Sequence, residues 1–148
     1  MNDIEKLLAY EAIKQTKARY FRSMDGKDWA GYAAVFTEDV QMRIPGEANY
    51  PAVVVDGRAD VVAHVRGVVE HIVTVHHGHM PIIELTSDTT ADVVWAMEDK
   101  LWKPAGSPSQ LPFDHLHGYG HYVETYRRVG DKWLINTFEL TRLRVDIS

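Results

Sequence analysis

The chain has 148 residues, 45% of them hydrophobic and 25% charged, the composition of a folded globular polypeptide rather than a disordered or collagen-like one. Sixteen Lys and Arg against 21 Asp and Glu leave a formal charge of −5 with no basic block, which gives nucleic acid no electrostatic footing. The absence of cysteine excludes disulfides, thiolate-held zinc, iron–sulfur clusters and a thiol nucleophile.

The opening Met-Asn-Asp-Ile-Glu-Lys is charged and lacks a signal peptide's apolar core. No apolar run approaches the roughly 20 residues of a membrane helix. The expectation is a cytoplasmic chain, one domain over residues 1–148, with neither membrane nor nucleic-acid partner.

From Asp3 to about Met24 the pattern predicts a long helix, with Ile4, Leu7, Leu8, Ile13, Tyr20 and Met24 apolar between Glu5, Lys6, Lys14, Lys17 and Arg22. Gly26 ends it, and Asp28 caps a short second helix with Trp29, Ala33 and Phe36 as its buried stripe. After Thr37 the period changes to two, and Val40, Met42 and Ile44 predict a strand ended by Pro45-Gly46. Glu47 to Pro51 reads as loop, Val53 to Val55 as a short strand, and Asp60 as the cap of a third helix running through Val61, Val65 and Val69 to Ile72. Its β-branched content weakens that helix.

Past Thr74 the pattern is all strand: about Val75–Thr86, Ala91–Lys103, His115–Val129 and Lys132–Asp146, with turns at Ser87-Asp88-Thr89 and Gly130-Asp131. The Pro/Gly/Ser-rich stretch Pro104–Pro112 is the one long loop and a candidate lid. Helices first and long antiparallel strands after define an α+β class.

Eight histidines are the main chemical signal, three of them in Val75-His76-His77-Gly78-His79-Met80. On a strand His77 and His79 share one face and His76 takes the other. His77-x-His79 with Glu84 has the ligand types of a non-haem iron or zinc site. The glycines and third histidine of the cupin motif are missing, and the alternative is that these side chains decorate an outer face. His115-x-His117 beside the proline-rich loop is a weaker case of the same kind. No metal or cofactor is therefore assigned.

Arg19-Tyr20-Phe21-Arg22-Ser23-Met24-Asp25 and Trp29-x-x-Tyr32-x-x-x-Phe36-Thr37-x-Asp39-Val40 resemble the NTF2-like superfamily. So do Thr74-Val75-His76-His77-Gly78, Gly118-x-Gly120-His121-Tyr122-x-Glu124-Thr125-Tyr126 and Gly130-Asp131-Lys132-Trp133. The resemblance is to the SnoaL-like branch, which includes scytalone dehydratase, hexachlorocyclohexane dehydrochlorinase and bile-acid 7α-dehydratase. It implies a cone-shaped α+β barrel, with N-terminal helices packed in a curved, mostly antiparallel sheet around an apolar pocket.

By that similarity His76 falls on the family's general base, Asp25 on its carboxylate partner and Tyr20 on a substrate-touching tyrosine. The family's cationic helper falls near Arg142 or Arg144, and neither is selected. His121 is a candidate second acid in the same pocket, while Trp95, Trp102, Phe138 and Met42 supply wall or core. A neutral imidazole accepts a proton near pH 7, an aspartate on its other nitrogen fixes the tautomer, and a phenol can steady a developing enolate. The resemblance thus implies a cofactor-independent lyase or isomerase of dehydratase type acting on a small apolar oxygenated substrate.

Two alternatives remain open on the sequence: a non-catalytic binding domain or partner subunit like the β chain of ring-hydroxylating dioxygenases, and a polyketide-cyclase-like enzyme. A homo-oligomer, trimer or dimer, is expected from the outer face of so long a sheet.

Overall fold

In the computed structural model, residues 1–46 and 51–148 are described, so the loop expected at 47–51 lies, for 47–50, outside the described residues. Helix α1 spans Asp3–Asp25 and opens on a capping box, Asn2 accepting from the Glu5 N–H while Glu5 accepts from the Asn2 N–H. Its buried stripe is Ala9, Ile13, Thr16, Lys17, Tyr20 and Met24, at helical spacing. Two expectations are corrected here. Ile4, Leu7 and Leu8 are exposed, because burial of α1 starts only at Ala9, and Lys17 is inside.

Helix α2, Trp29–Ala33, is capped by Asp28 accepting from the Gly31 N–H. Its buried residue is Tyr32; Phe36 instead begins strand β1, Phe36–Ile44. β2 covers Val53–Asp56 and α3 covers Arg58–Val69. Gly57, at φ +93°, starts α3 in place of Asp60, which lies within its first turn; the left-handed backbone there favours glycine. The helix stops at Val69, short of Ile72.

The four long strands follow as β3 Val73–Leu85, β4 Thr90–Trp102, β5 His115–Val129 and β6 Lys132–Ile147. The six strands of the described residues form one curved, unclosed sheet in the order β2-β1-β6-β5-β4-β3. Every pairing is antiparallel except β1 with β6, where Met42 lies beside Phe138.

One face of the sheet wraps the helices. Alternation sends Val93, Trp95, Met97 and Asp99 of β4, and Tyr122, Glu124 and Tyr126 of β5, into that interior. Tyr20 sits at its centre, with ring centroids 5.1 Å from Tyr32, 5.7 Å from Tyr122 and 6.0 Å from Phe36 and Phe138. The Thr16 hydroxyl donates to the Trp133 carbonyl at 2.6 Å, and Arg58 donates to the Phe36 carbonyl at 2.6 Å, tying α1 to β6 and α3 to β1. This is the α+β cone expected from the sequence. No helix among the described residues is long and apolar enough to cross a membrane.

Candidate active site

Asp25 is the last residue of α1, and β3 brings His76 against it. The His76 Nδ1 lies 2.7 Å from the Asp25 Oδ1, and the His76 backbone N–H donates to Oδ2 at 2.9 Å. Thr74, two residues back on the same face of β3, donates its hydroxyl to Oδ1 at 2.9 Å, and the Lys27 ammonium donates to that hydroxyl at 2.9 Å. Because an ammonium only donates, it commits the Thr74 proton to Asp25.

Burial works to raise the Asp25 carboxyl, but the bonds from the His76 ring, the His76 N–H and Thr74 outweigh it and hold its pKa below the ordinary carboxylate value. Burial lowers the Lys27 pKa, with Asp25 opposing. An ionised Asp25 can only accept, so Nδ1 carries a proton, and in the neutral ring the lone pair falls on Nε2. The ring of Phe21 stacks on His76 at 6.3 Å and 12°.

His76 forms part of the wall of a cavity of about 160 Å³ inside the cone. Tyr20, Tyr122, Met42 and Phe138 line it, and α3 contributes His64, Val65, Val68 and Val69. Leu111, from the loop after β4, completes the wall, and that loop is held by the Lys103 ammonium donating to the Leu111 carbonyl at 2.8 Å and by Ser107 donating to the His71 carbonyl at 2.7 Å. Burial first, then the neighbouring Tyr122, pushes the Tyr20 phenol well above its ordinary value, so it is a hydrogen-bond donor and not a phenolate.

Asp99, deep in the interior, is the polar group that sequence reasoning missed. Asp99 of β4 is 3% exposed and accepts from both terminal guanidinium nitrogens of Arg142 at 2.8 Å, and both residues line the cavity. Of the two arginines left unselected, Arg142 is therefore the one inside, while Arg144 is exposed and bonded to Asp146. The signal for Asp99 was present: it shares the parity of Trp95 and Met97 on β4. A bulge between Tyr119 and Gly120, opposite Leu143, puts Arg142 and Arg144 on different faces although they are two residues apart.

Below the cavity, the Lys17 ammonium is paired with Glu124 and lies 3.8 Å and 3.6 Å from the ring centroids of Tyr20 and Tyr122. Glu124 also accepts from the Tyr126 hydroxyl at 2.7 Å. Burial pulls the Lys17 pKa down to about 8 against the pull of Glu124.

The remaining sequence candidates fall outside the cavity. Trp95 is buried in the core but does not line it. His121 faces the other side of β5 from Tyr122, half-buried between Ala96 and Thr141. Trp102 lies at the rim of β4, over His115. His77 and His117 flank Glu98 on the outer face, at 3.5 Å and 3.1 Å, and His79 is exposed. Among the described residues no three His, Cys, Asp or Glu side chains are grouped to hold a metal ion.

A wider groove of about 820 Å³ runs between α1, α2 and the β5–β6 turn, and a shallower one of about 400 Å³ crosses the outer face of the sheet. Neither has a histidine in its wall, and the smaller interior cavity is the one that meets the Asp25–His76 pair.

A curved, unclosed sheet wrapped round helices matches the NTF2-like fold of known structures. The SnoaL-like domain model matches residues 5–139, and the chain belongs to that family. Among solved structures it superposes on a type 2 hexachlorocyclohexane dehydrochlorinase with a TM-score of 0.83 at 14% identity, over 99% of this chain and 93% of that one. A scytalone dehydratase-like protein from Novosphingobium aromaticivorans gives 0.79 at 22% identity, over 99% and 91%. ActVI-ORFA from Streptomyces coelicolor gives 0.65 at 22% identity, over 91% and 97%. Identities this low establish a common fold.

Proposed function

We propose that this protein is a cofactor-independent lyase or isomerase that removes a proton from carbon next to a carbonyl in a small, largely apolar substrate. The observation that carries the reading is the 2.7 Å contact of His76 Nδ1 with Asp25 at the wall of an interior cavity. His76 Nε2 is the base. Asp25 orients the ring and stabilises the imidazolium that forms, and it does so as an anion already held by its other bonds. Tyr20 donates to the substrate carbonyl as negative charge develops there. Arg142, anchored by Asp99, adds positive potential to the same space.

The neighbours named dehydrochlorinase and scytalone dehydratase-like support the elimination class. The cavity volume of about 160 Å³ favours a substrate of one ring or a short chain, since an apolar cavity of about 150 Å³ holds a benzene-sized ligand.

His76→Ala tests the mechanism. Positioned general-base help is worth about 10²–10⁴-fold, and kcat/KM for proton abstraction from a single-ring carbonyl compound should fall by that factor. Solvent-deuterium exchange at the α-carbon, followed by NMR, reads the step directly. Unchanged exchange in the variant would remove His76 from the role of base.

A further inference from the structure

The two sides of α1 meet different surroundings. Lys17, Tyr20 and Met24 turn inward, while Leu8, Glu11, Gln15, Arg19 and Arg22 recur at spacings of three and four along the outward side. All five are exposed, and Ile4, Leu7 and Leu8 leave an apolar surface bare near the start of the helix. Neither Arg19 nor Arg22 has a side-chain partner among the described residues. The groove of about 820 Å³ between α1, α2 and the β5–β6 turn opens along this stripe, with Leu8, Gln15, Arg19 and Arg22 in one wall.

The stripe is complementary to itself. Its first half carries the apolar side chains and Glu11, its second half carries Arg19 and Arg22, and Gln15 stands midway. Glu11 and Arg19 each lie four residues from Gln15, and Leu8 and Arg22 each lie seven. Positions four and seven apart share one helix face. Two such helices laid antiparallel about a two-fold axis at Gln15 therefore set Glu11 against the partner's Arg19 twice over, and Leu8 against the aliphatic stem of the partner's Arg22. The outer face of the sheet has no comparable unmet charge. There Glu98 is paired with His77 and His117, Arg127 with Asp39, Arg43 with Asp56 and Arg144 with Asp146, all within the chain.

We propose that the outward face of α1 is the contact surface for a second copy of this chain, paired antiparallel across a two-fold axis at Gln15. Ile4, Leu7 and Leu8 supply the apolar area that leaves water. Glu11 and Arg19 set direction and register more than strength, since exposed ion pairs add little affinity but like charges repel a wrong arrangement. A parallel pairing in register puts Glu11 against Glu11 and Arg19 against Arg19, which the antiparallel one avoids. Pairing covers the mouth of each copy's groove. The cavity that meets His76 lies on the inward side of α1, so the surface is independent of the chemistry proposed there.

The chain has no cysteine, which lets one introduced thiol report the axis. Helices packed about 8–10 Å apart bring facing Cα atoms within the roughly 4.4–6.8 Å that a disulfide spans. Under mild oxidation Gln15→Cys should give a covalent dimer on a denaturing gel, whereas Ile82→Cys on the outer face of the sheet should not. In sedimentation velocity, Arg19→Glu and Glu11→Arg should each raise the dimer dissociation constant by about tenfold or more, because the two-fold axis makes every changed contact count twice. Mixed in equal amounts, those two variants should pair again, since each then meets the opposite charge. Circular dichroism should show all four variants folded, their positions being exposed. A monomeric wild type, a dimer indifferent to both charge variants, or single variants not rescued by mixing would overturn the proposal. Cross-linking through Ile82→Cys in place of Gln15→Cys would overturn it too, and give the second copy to the outer face of the sheet.

Discussion

Asp25 owes its low basicity to three hydrogen bonds given by two residues of β3, which makes it a stability element as well as a candidate orienter of His76. Its folded pKa lies below the ordinary 3.8, so the unfolded chain takes up the proton first as pH falls. The stabilisation is complete above pH 3.8 and is lost as pH drops through the folded value. Asp25→Asn should therefore flatten the loss of stability below about pH 4, seen as urea midpoints that converge with wild type in acid and fall short of it at neutral pH. Lys17 and Glu124 raise a different matter, since both are at most 2% exposed. Removing one partner strands the other: Lys17→Met should cost about 3–5 kcal/mol, and Lys17→Met with Glu124→Gln should recover most of it. Denaturant titration of the three proteins measures both numbers, and equal costs for single and double variants would contradict the pairing.

At the scale of elements, β5 explains why the cavity exists where it does. Inward positions alternate as Leu116, Gly118, Gly120, Tyr122, and Gly118 leaves the volume that the Arg142 and Asp99 side chains occupy. A Cβ on Gly118 would collide with the Arg142 guanidinium and the Asp99 carboxylate; one on Gly120 would collide with the Thr141 carbonyl at the bulge. A side chain can move aside and a backbone cannot, so Gly120→Ala should be the more damaging, lowering stability by roughly 1–3 kcal/mol in thermal or urea unfolding. Equal effects at 118 and 120 would mean that the bulge yields. The same bulge limited what the sequence could disclose. Period-two alternation correctly separated His76 from His77, yet it cannot register a one-residue slip, and that slip decides between Arg142 and Arg144 and brings Arg142 inside. The charge of Lys17 points to the polar side of α1, while its spacing from Ile13 and Tyr20 fits the buried stripe, and the periodicity is the truer guide. The motif around His121 points it inward, whereas parity with Tyr122 sends it out.

Across the whole molecule, the central strands β5 and β6 are paired on both sides, whereas β2 and β3 each have one open edge. Amide hydrogen exchange should follow that order, slowest in β5 and β6 and fastest in β2 and along β3 near the irregularity between Gly78 and Pro81. Uniform protection across the six strands would contradict it. Element types and their sequence were readable because β4 and β5 alternate cleanly and the turns after β3 and β5 carry Ser, Asp or Gly. Strand order was not, since it is settled by contacts between distant segments. The cavity and His64's place in its wall depend on how α3 seats against the sheet, and no local pattern reports that.

The parallel seam between β1 and β6 also bears on biosynthesis. Residues 36–44 are translated long before their partners at 135–139, and Lys17 is made long before Glu124. A nascent chain that has released α1 through β4 therefore carries an unpaired flank on β1 and a lysine without its carboxylate, both in water. Cooperative closure waits for the last strand to emerge from the ribosome. During that interval the half-made cone presents an open β-edge, so translational pausing between β4 and β6 should favour capture by holdase chaperones over productive folding.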